Sequence, residues 1–264
     1  MYDQVKKAFS KQSEIFDEYE EGNEILKWMR SVTRRHVQRY LKNGDSLLEL
    51  NAGTGLDAVY FAKSGYKIHC TDISEGMLSQ LSKKIQENNL SDLISFQNLS
   101  FDQLNKLNQK SFDYIFSNFG GLNCAKDLKD VFKYFPNLLN PGGKVTLVTM
   151  PVISPWEIIL ALKGNIKTAF RRFHKKGVEA NVEGIKFRTY YFSVGKVIKA
   201  LGKNFKILEI QGLGSVSPPP FMENFPRKLP GIYKSLTKLD EKFSQSFPFN
   251  RWADHFILTA EYRP

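Results

Sequence analysis

The chain has 264 residues, of which 42% are hydrophobic, enough for a sizeable buried core and too many for a disordered protein. Its 38 Lys and Arg residues against 27 Asp and Glu residues give a formal net charge of +11, which suits an acidic partner such as nucleic acid, an anionic membrane surface or a phosphorylated substrate. The two cysteines, Cys70 and Cys124, are too few for a disulfide framework or a cysteine-based metal site. We therefore expect an intracellular, reduced protein.

The first forty residues are predicted to be helical. The opening "MYDQVKKAFSKQSEIFDEYE" contains no apolar signal core, so we expect no export. Between Ala8 and Leu41 the apolar residues recur at roughly helical spacing, which predicts two amphipathic helices. Asn43 and Gly44 follow as a helix stop.

From Ser46 onward, strand-like and helix-like segments alternate. Strands are predicted at 46–50, 66–72, 93–98, 112–118, 143–150, 205–214 and 252–262. Helices are predicted after Gly55, after Ser74 as N-cap, in "DLKDVFKYFPNLL" and in "VGKVIKALG". This alternation predicts an α/β domain with a doubly wound, seven-stranded, mostly parallel sheet.

No linker divides the chain, so we expect one domain of residues 1–264. Residues 1–43 are expected to form a helical lid and residues 44–150 the core that binds a cofactor. Residues 151–192 and 214–250 are expected to be insertions that cap the substrate site. The closing helix and strands are predicted at 193–213 and 251–264.

The stretch "LLELNAGTGLDA" places a glycine turn between the first strand and the helix after it. Ligands bind to such sheets at the carboxyl ends of parallel strands, and Gly53 and Gly55 carry no side chain that would block a close approach. The run from Gly53 to Ala58 fits the dinucleotide fingerprint G-x-G-x-x-A, with Asp72 as the acid that binds ribose. By itself this pattern leaves an NAD-dependent oxidoreductase open.

Four stretches point to a different ligand: "ELNAGTG", "CTDIS", "FDYIFSN" and "LLNPGGKVTLV". Together with the N-terminal helices and the extra strand at the end, they make the chain resemble the class I S-adenosylmethionine-dependent methyltransferases that act on small molecules. The resemblance covers residues 45–150, and the last two strands by topology. In that family the first motif is an acid, one residue and Gly-x-Gly-x-Gly; here Asn51 replaces the first glycine, and Asn is the non-glycine residue that best tolerates a positive φ.

The resemblance implies that S-adenosylmethionine is the cofactor. It implies that Glu49 reaches the amino group of the ligand through the turn or a water molecule, with Asn51 beside its amino-acid tail. Gly53 and Gly55 would let the backbone pass close to the ribose and methionine portions. Asp72 would accept hydrogen bonds from both ribose hydroxyls.

The remaining implied roles concern the adenine and the reactive sulfur. The resemblance implies that Ile73 and Met77 pack on the adenine. Asn98 and Leu99 occupy the segment where the family has an acid that recognises the adenine amino group. Asn118 and Phe119 would line the floor under the sulfur.

The catalytic residues are harder to identify. Methyl transfer from a sulfonium neutralises charge in the transition state, so a dry cleft that holds the reactants in line does most of the work. No metal is required, and the four histidines lack metal-ligand spacing. The candidates are residues in segments expected to cover the cleft: His36, His174, Tyr19 and Tyr191.

The segment 156–176 starts with apolar and aromatic residues and continues with cations. This pattern is typical of a helix on an anionic bilayer, and equally of a helix packed on its own domain with a solvated basic face. After the fourth strand, "SNFGGLNC" lacks the prolines typical of enzymes that methylate base nitrogens, while RNA carbon or ribose methylation stays open.

These observations predict a cytoplasmic methyltransferase, with optional peripheral membrane contact. We expect methylation of a small or lipid-like acceptor, such as a quinone precursor or polyketide, at oxygen or carbon. The alternatives are an RNA methyltransferase, an NAD-dependent oxidoreductase and a non-catalytic nucleoside-binding module.

Overall fold

The computed structural model describes residues 2–109, 111–161, 164, 166 and 170–264. Its main sheet has seven strands in the order β3-β2-β1-β4-β5-β9-β8, and β6 and β7 form a separate hairpin. The strands are β1 (Ser46–Leu50), β2 (Lys67–Asp72), β3 (Ile94–Asn98), β4 (Phe112–Ser117), β5 (Leu139–Thr149), β6 (Val178–Val182), β7 (Ile185–Thr189), β8 (Phe205–Leu213) and β9 (His255–Tyr262). The helices are α1 (Tyr2–Gln12), α2 (Phe16–Gly22), α3 (Glu24–Gln38), α4 (Leu56–Lys63), α5 (Glu75–Glu87), α6 (Lys129–Phe132), α7 (Pro155–Ala161), α8 (Val194–Leu201), α9 (Phe225–Lys228) and α10 (Pro230–Phe243).

The direction of the strands determines which residues meet at one edge of the sheet. Strands β1 to β5 pair in parallel, and β9 runs antiparallel to both β5 and β8. The carboxyl ends of the parallel strands therefore lie at the same edge as the first residues of β9. This arrangement confirms the predicted doubly wound, mostly parallel fold.

Both faces of the sheet are covered, as expected for parallel strands. Side chains alternate along β1, so Leu47 packs in the cluster under α3, α4 and α5, whereas Leu48 packs in the cluster on the opposite face. Both leucines are at most 1% exposed, and burial of such a side chain contributes about 1.5–3 kcal/mol. The continuous apolar pattern of the strands follows from this two-sided burial.

The N-terminal region differs from the prediction, because it contains three helices rather than two. Asn23 separates α2 from α3, and its side chain accepts hydrogen bonds from the backbone N–H groups of Ile25 (3.0 Å) and Leu26 (3.2 Å) as an N-cap. Helix α3 packs on the sheet, with Ile25 and Met29 fully buried. Helices α1 and α2 lie over the edge where the parallel strands end, and α3 reaches the same edge with Leu26 and Arg30.

Two further differences have local causes. The predicted helix "DLKDVFKYFPNLL" is reduced to α6 and a 3₁₀ turn at Phe135–Asn137, because Pro136 cannot continue an α-helix. The predicted insertion 151–192 contains the β6–β7 hairpin, which the sequence patterns did not indicate. Phe187 of this hairpin packs against Phe9 of α1, with ring centroids 5.7 Å apart. The hairpin therefore supports α1 above the edge where the parallel strands end.

Candidate cofactor site

A cavity of about 280 Å³ lies where β1, β2 and β4 end. Three polar residues from these strand ends, Glu49, Asp72 and Asn118, line its base. The roof is largely apolar and comes from the N-terminal helices and the 3₁₀ turn after β3. It includes Tyr2, Val5, Phe9, Phe16, Leu26 and Phe101.

Polar contacts hold the roof on the domain. Lys84 and Thr54 both bond to Asp17 of α2. Ser10 of α1 lies 2.9 Å from Ser74, the N-cap residue of α5, between their hydroxyl oxygens. The first two helices are therefore joined to both the glycine turn and the helix after β2.

The turn after β1 has the left-handed backbone that its sequence indicates. Asn51 has φ 48° and lines the cavity. Its side-chain amide donates to the carbonyl oxygen of Asn118 (2.9 Å) and its amide oxygen accepts from the hydroxyl of Ser117 (2.5 Å). A glycine at position 51 would make neither bond, so Asn51 ties the turn after β1 to the end of β4.

The two glycines of the turn have different reasons for being glycine. A Cβ on Gly53, with φ 57°, would meet one neighbour within 4 Å, the sulfur of Met77 at 4.0 Å, so Gly53 leaves space in the cavity. A Cβ on Gly55, with φ 80°, would lie 2.2 Å from Cδ1 of Leu81. Gly55 does not line the cavity, unlike Gly53, and its missing side chain allows α4 and α5 to pack closely.

Asp72 is held in place by backbone donors. Its carboxylate accepts from the N–H groups of Gly53 (2.9 Å) and Ser74 (2.8 Å). Burial raises the pKa of this carboxyl group, and the backbone hydrogen bonds oppose that rise. Each oxygen keeps a lone pair for a ligand hydroxyl.

The residues predicted to surround the adenine divide into two groups. Ile73, Met77 and Leu99 line the cavity, as does Phe119, which is predicted to lie under the sulfur. Asn98 does not: its amide donates to the carbonyl oxygens of Asp72 and Ile73, at 3.0 Å each. The side chain of Asn98 therefore stabilises the turn that presents Asp72 and does not line the cavity.

Glu49 is the most unusual group in the cavity. Its side chain is 3% exposed, and its Oε2 atom has no hydrogen-bond partner. Burial, followed by the nearby charge of Asp57, raises the pKa of Glu49 well above its ordinary value. A buried carboxylate without a partner is costly, so this position favours a cationic ligand.

An ion network that the sequence did not reveal lies beside Glu49. Asp57 accepts hydrogen bonds from Arg30 and from Arg34 (Nε to Oδ1, 2.7 Å), and Arg30 also bonds to Glu20 (2.7 Å). Burial alone would raise the pKa of Asp57, but the two guanidinium groups outweigh it and lower the pKa. The signal that could have indicated the network is the spacing of Arg30, four residues after Leu26 and three before Thr33, which places it next to the buried face of α3.

The end of β4 forms the floor of the cavity. Asn118 donates to Asp57 (2.8 Å), and its amide oxygen accepts from the N–H of Phe119 (2.8 Å). Phe119 has φ 45°, a strained conformation for a large side chain. The guanidinium of Arg30 lies over its ring, 4.5 Å from the centroid.

Of the four candidate catalytic residues, Tyr19 lines the cavity. His36 is buried between α3 and the sheet, where its ring nitrogens lie 2.8 Å from the side-chain oxygens of Gln211 and Thr259. His174 is exposed, and Tyr191 packs under Arg172, 5.0 Å from Cζ to the ring centroid. Of the four candidates, the structure thus brings Tyr19 to the cavity, while His36, His174 and Tyr191 lie outside the residues that line it.

The basic segment 156–176 is partly internal. Arg171 and Arg172 both pair with Glu157, at 2.6 and 2.7 Å. Several apolar and basic side chains of the segment are exposed: Ile158, Ile159, Ile166, Phe170, Phe173, Lys175 and Lys176. Two further cations of the segment, Lys163 and Lys167, lie outside the described residues. Among the described residues, no helix has both the length and the apolar character needed to cross a membrane.

Comparison with known proteins places this geometry in context. A family model described as a methyltransferase domain matches residues 47–143. An uncharacterized protein of Methanocaldococcus jannaschii is 28% identical over 240 residues, which cover 89% of this chain and 86% of that protein. The demethylmenaquinone methyltransferase of Clavibacter sepedonicus is 29% identical over 147 residues, which cover 56% of this chain and 55% of that enzyme. The chain thus aligns with about half of this enzyme.

Solved structures share the fold. Geranyl diphosphate C-methyltransferase of Streptomyces coelicolor, in complex with Mg²⁺, geranyl diphosphate and S-adenosyl-L-homocysteine, has a TM-score of 0.57 and 14% identity. The similarity covers 88% of this chain and 78% of that chain. At this level of identity, the likeness shows the fold.

Proposed function

Because the chain belongs to the class I S-adenosylmethionine-dependent methyltransferases, we propose that it methylates a small or lipid-like acceptor at an oxygen or carbon atom. The family supplies the reaction class and the cofactor. The acceptor, the methylated atom and the role of each residue are the proposal.

The main support for the proposed cofactor is Glu49, whose buried Oε2 atom has no hydrogen-bond partner. A carboxylate buried in the cavity without a donor suits the ammonium group at the methionine end of the cofactor, whereas a dinucleotide would bring pyrophosphate, which a carboxylate repels. Asp72, fixed by two backbone N–H groups, would hold the ribose hydroxyls. The open side of Gly53 gives the ligand room between them. The residues present therefore fit S-adenosylmethionine.

When bound, S-adenosylmethionine supplies an electrophilic methyl group. The protein then has to bind, orient and desolvate the reactants. Phe9, Phe16 and Phe101 keep water from the top of the cavity, and Phe119 forms its floor. Arg30 donates hydrogen bonds to both Asp57 and Glu20, so these charged groups keep their partners when water is excluded from the cavity.

The apolar side chains of the roof favour an apolar acceptor. Its aromatic and aliphatic side chains would pack on a ring system or an isoprenoid chain, and they offer few donors to a nucleic acid backbone. The names of two similar proteins, a demethylmenaquinone methyltransferase and a geranyl diphosphate C-methyltransferase, are consistent with this class. An RNA methyltransferase is therefore the less favoured alternative.

The exposed part of segment 156–176 supports contact with a membrane surface, where a lipid-like acceptor would be found. Ile158, Ile159 and Phe173 are exposed near Lys175 and Lys176, a combination suited to the surface of an anionic bilayer. We infer that the enzyme acts in the cytoplasm and takes its acceptor at the membrane surface. Flotation with phosphatidylglycerol vesicles should recover the wild type, and replacement of both isoleucines by serine should reduce recovery. Equal recovery would contradict membrane contact.

Two measurements test the function itself. Calorimetry should show binding of S-adenosylhomocysteine and none of NADH, and Asp72→Ala should weaken that binding without loss of the fold. Transfer of a labelled methyl group should then be measured to prenylated and unprenylated naphthohydroquinones, phenols, geranyl diphosphate and total RNA. Transfer to RNA alone would replace the proposed acceptor class, and binding of NADH alone would refute the cofactor.

A further inference from the structure

A second cluster of buried ionisable residues lies at the same edge of the sheet, behind the floor of the cofactor cavity. Its centre is the pair Asp254 and His255, which are 5% and 7% exposed. His255 is the first residue of β9, and its Nδ1 atom lies 2.9 Å from Oδ2 of Asp254. The antiparallel direction of β9 brings this histidine to the edge where the parallel strands end.

The orientation of Asp254 is fixed from its other side. Arg172 donates to Oδ1 of Asp254 (2.8 Å) and to its carbonyl oxygen (2.9 Å). Arg172 in turn pairs with Glu157, which is 1% exposed. Apolar residues would fill this space at lower cost than buried charges, so the cluster is better explained by a requirement for a correctly placed His255.

The partner of Nδ1 determines what the other ring nitrogen can do. An aspartate can only accept a hydrogen bond, so Nδ1 of neutral His255 carries the proton and Nε2 keeps a free lone pair. This is the arrangement of a general base with an orienting carboxylate.

Nε2 of His255 faces the turn after β4, which contains Phe119 and Gly120. A Cβ on Gly120 would lie 3.3 Å from this atom. The ring of Phe119 stands edge-on to the His255 ring, with centroids 6.0 Å apart, and its side chain also lines the cofactor cavity. Phe119 thus separates the base from the cofactor, and it does so from a strained backbone conformation.

We propose that His255 is the general base of the methyl transfer and that the acceptor binds between it and the cofactor, with Phe119 moving aside. This proposal rests on the proposed function. The proton of the acceptor passes to Nε2, and the electron pair of the broken O–H or C–H bond forms the new bond to the methyl carbon. The carbon–sulfur bond breaks with its electron pair on sulfur, which gives S-adenosylhomocysteine and a protonated His255.

The first test requires no acceptor. In the full chain labelled with ¹⁵N-histidine and saturated with S-adenosylhomocysteine, the His255 ring should show a protonated Nδ1 and an unprotonated Nε2. Its signals are assigned by their loss in His255→Gln, and Asp254→Asn should abolish the preference. A ring protonated at Nε2 in the wild type would overturn the proposal.

The second test measures turnover with the best acceptor from the panel described above. His255→Gln should lower kcat by on the order of 100-fold or more, the usual contribution of a general base, while the Kd for S-adenosylhomocysteine changes less than about twofold. The matched control is His174→Gln, which changes an exposed histidine and should leave kcat unchanged. Thermal unfolding verifies that each variant is folded.

The outcomes of the two tests separate the two proposals. An unchanged kcat in His255→Gln would refute the general base while leaving the methyltransferase assignment intact. Absence of methyl transfer to every acceptor in the panel would instead refute the proposed acceptor class. In that case the ¹⁵N-histidine measurement still tests whether Nε2 of His255 is unprotonated, as a general base requires.

Discussion

Asn51 and Gly121 lie so close that a Cβ on Gly121 would be 2.2 Å from Cγ of Asn51. The amide of Asn51 fills the space beside the turn after β4 while it bonds to Ser117 and Asn118. The side chain at position 51 and the absence of one at position 121 therefore depend on each other.

This contact predicts that Gly121→Ala displaces Asn51 and the cofactor turn. We expect a loss of about 1–3 kcal/mol in the free energy of unfolding, as for other overpacked sites, together with weaker binding of S-adenosylhomocysteine. In a double-mutant cycle, Asn51→Gly should rescue part of both losses, because it removes the obstructing amide. The control Gly195→Ala meets nothing within 4 Å and should not weaken binding. Strictly additive effects would contradict the coupling.

Glu49→Gln should stabilise the protein and weaken cofactor binding. Because the folded pKa of Glu49 is raised, folded protein binds this proton more tightly than unfolded protein, so the stability falls as pH rises from the ordinary glutamate pKa through the folded pKa. Glutamine removes that loss, and the melting temperature at neutral pH should rise.

The same carboxyl group predicts proton release on binding. A cationic ligand beside Glu49 lowers its pKa, so S-adenosylmethionine should displace a proton from the wild type. Calorimetry in two buffers of different ionisation enthalpy measures the number of protons released. Equal release by wild type and Glu49→Gln would show that another group is responsible.

Asp57→Asn should destabilise the domain strongly. The change leaves Arg34 without its carboxylate and weakens the hold on Arg30, and breaking a buried ion pair costs about 3–5 kcal/mol. Because the folded pKa of Asp57 is lowered, its contribution to the free energy of unfolding is lost as pH falls below the ordinary aspartate pKa. The difference in free energy of unfolding between wild type and Asp57→Asn should therefore become smaller at acidic pH. Urea unfolding measures both effects. Arg35→Gln, in an exposed pair with Glu241, should change the stability by less than about 0.5 kcal/mol.

The two glycines of the cofactor turn should respond differently to alanine. Gly55→Ala combines a left-handed backbone with a clash against Leu81, and we expect a loss of about 2–4 kcal/mol in the free energy of unfolding. Gly53→Ala should cost about 1–2 kcal/mol in the free energy of unfolding, from its backbone conformation alone. It should nevertheless weaken S-adenosylhomocysteine binding more than Gly55→Ala does, because the new methyl group would occupy cavity space that the ligand needs. The opposite ranking in calorimetry would show that Gly55 is the residue next to the ligand.

The fold and much of the cofactor cavity could be predicted because their signals are local. A buried strand, a glycine turn and an acid at the next strand end lie within short stretches, and Glu49, Gly53 and Asp72 do line one cavity. The doubly wound, mostly parallel arrangement follows from the alternation of strands and helices.

The histidines show what sequence patterns could not provide. His36 was a candidate because its segment was expected to form a lid, but α3 packs on the sheet and turns that side chain toward Thr259, far along the chain. His255 lies in a strand pattern, and nothing in that pattern indicates that Asp254 meets Arg172. Such pairs depend on tertiary contacts between distant segments, so they become visible only after the chain is folded.

The reversed direction of β9 has a consequence for how this enzyme could diversify. The residues proposed to bind the nucleoside lie between Tyr2 and Cys124, whereas β9 brings its first residues to the same edge of the sheet from the C-terminal part of the chain. Substitutions at distant sites usually act independently. Under the proposal that the acceptor binds beside His255, substitutions near the C-terminus would change the acceptor that is methylated while cofactor binding stays the same.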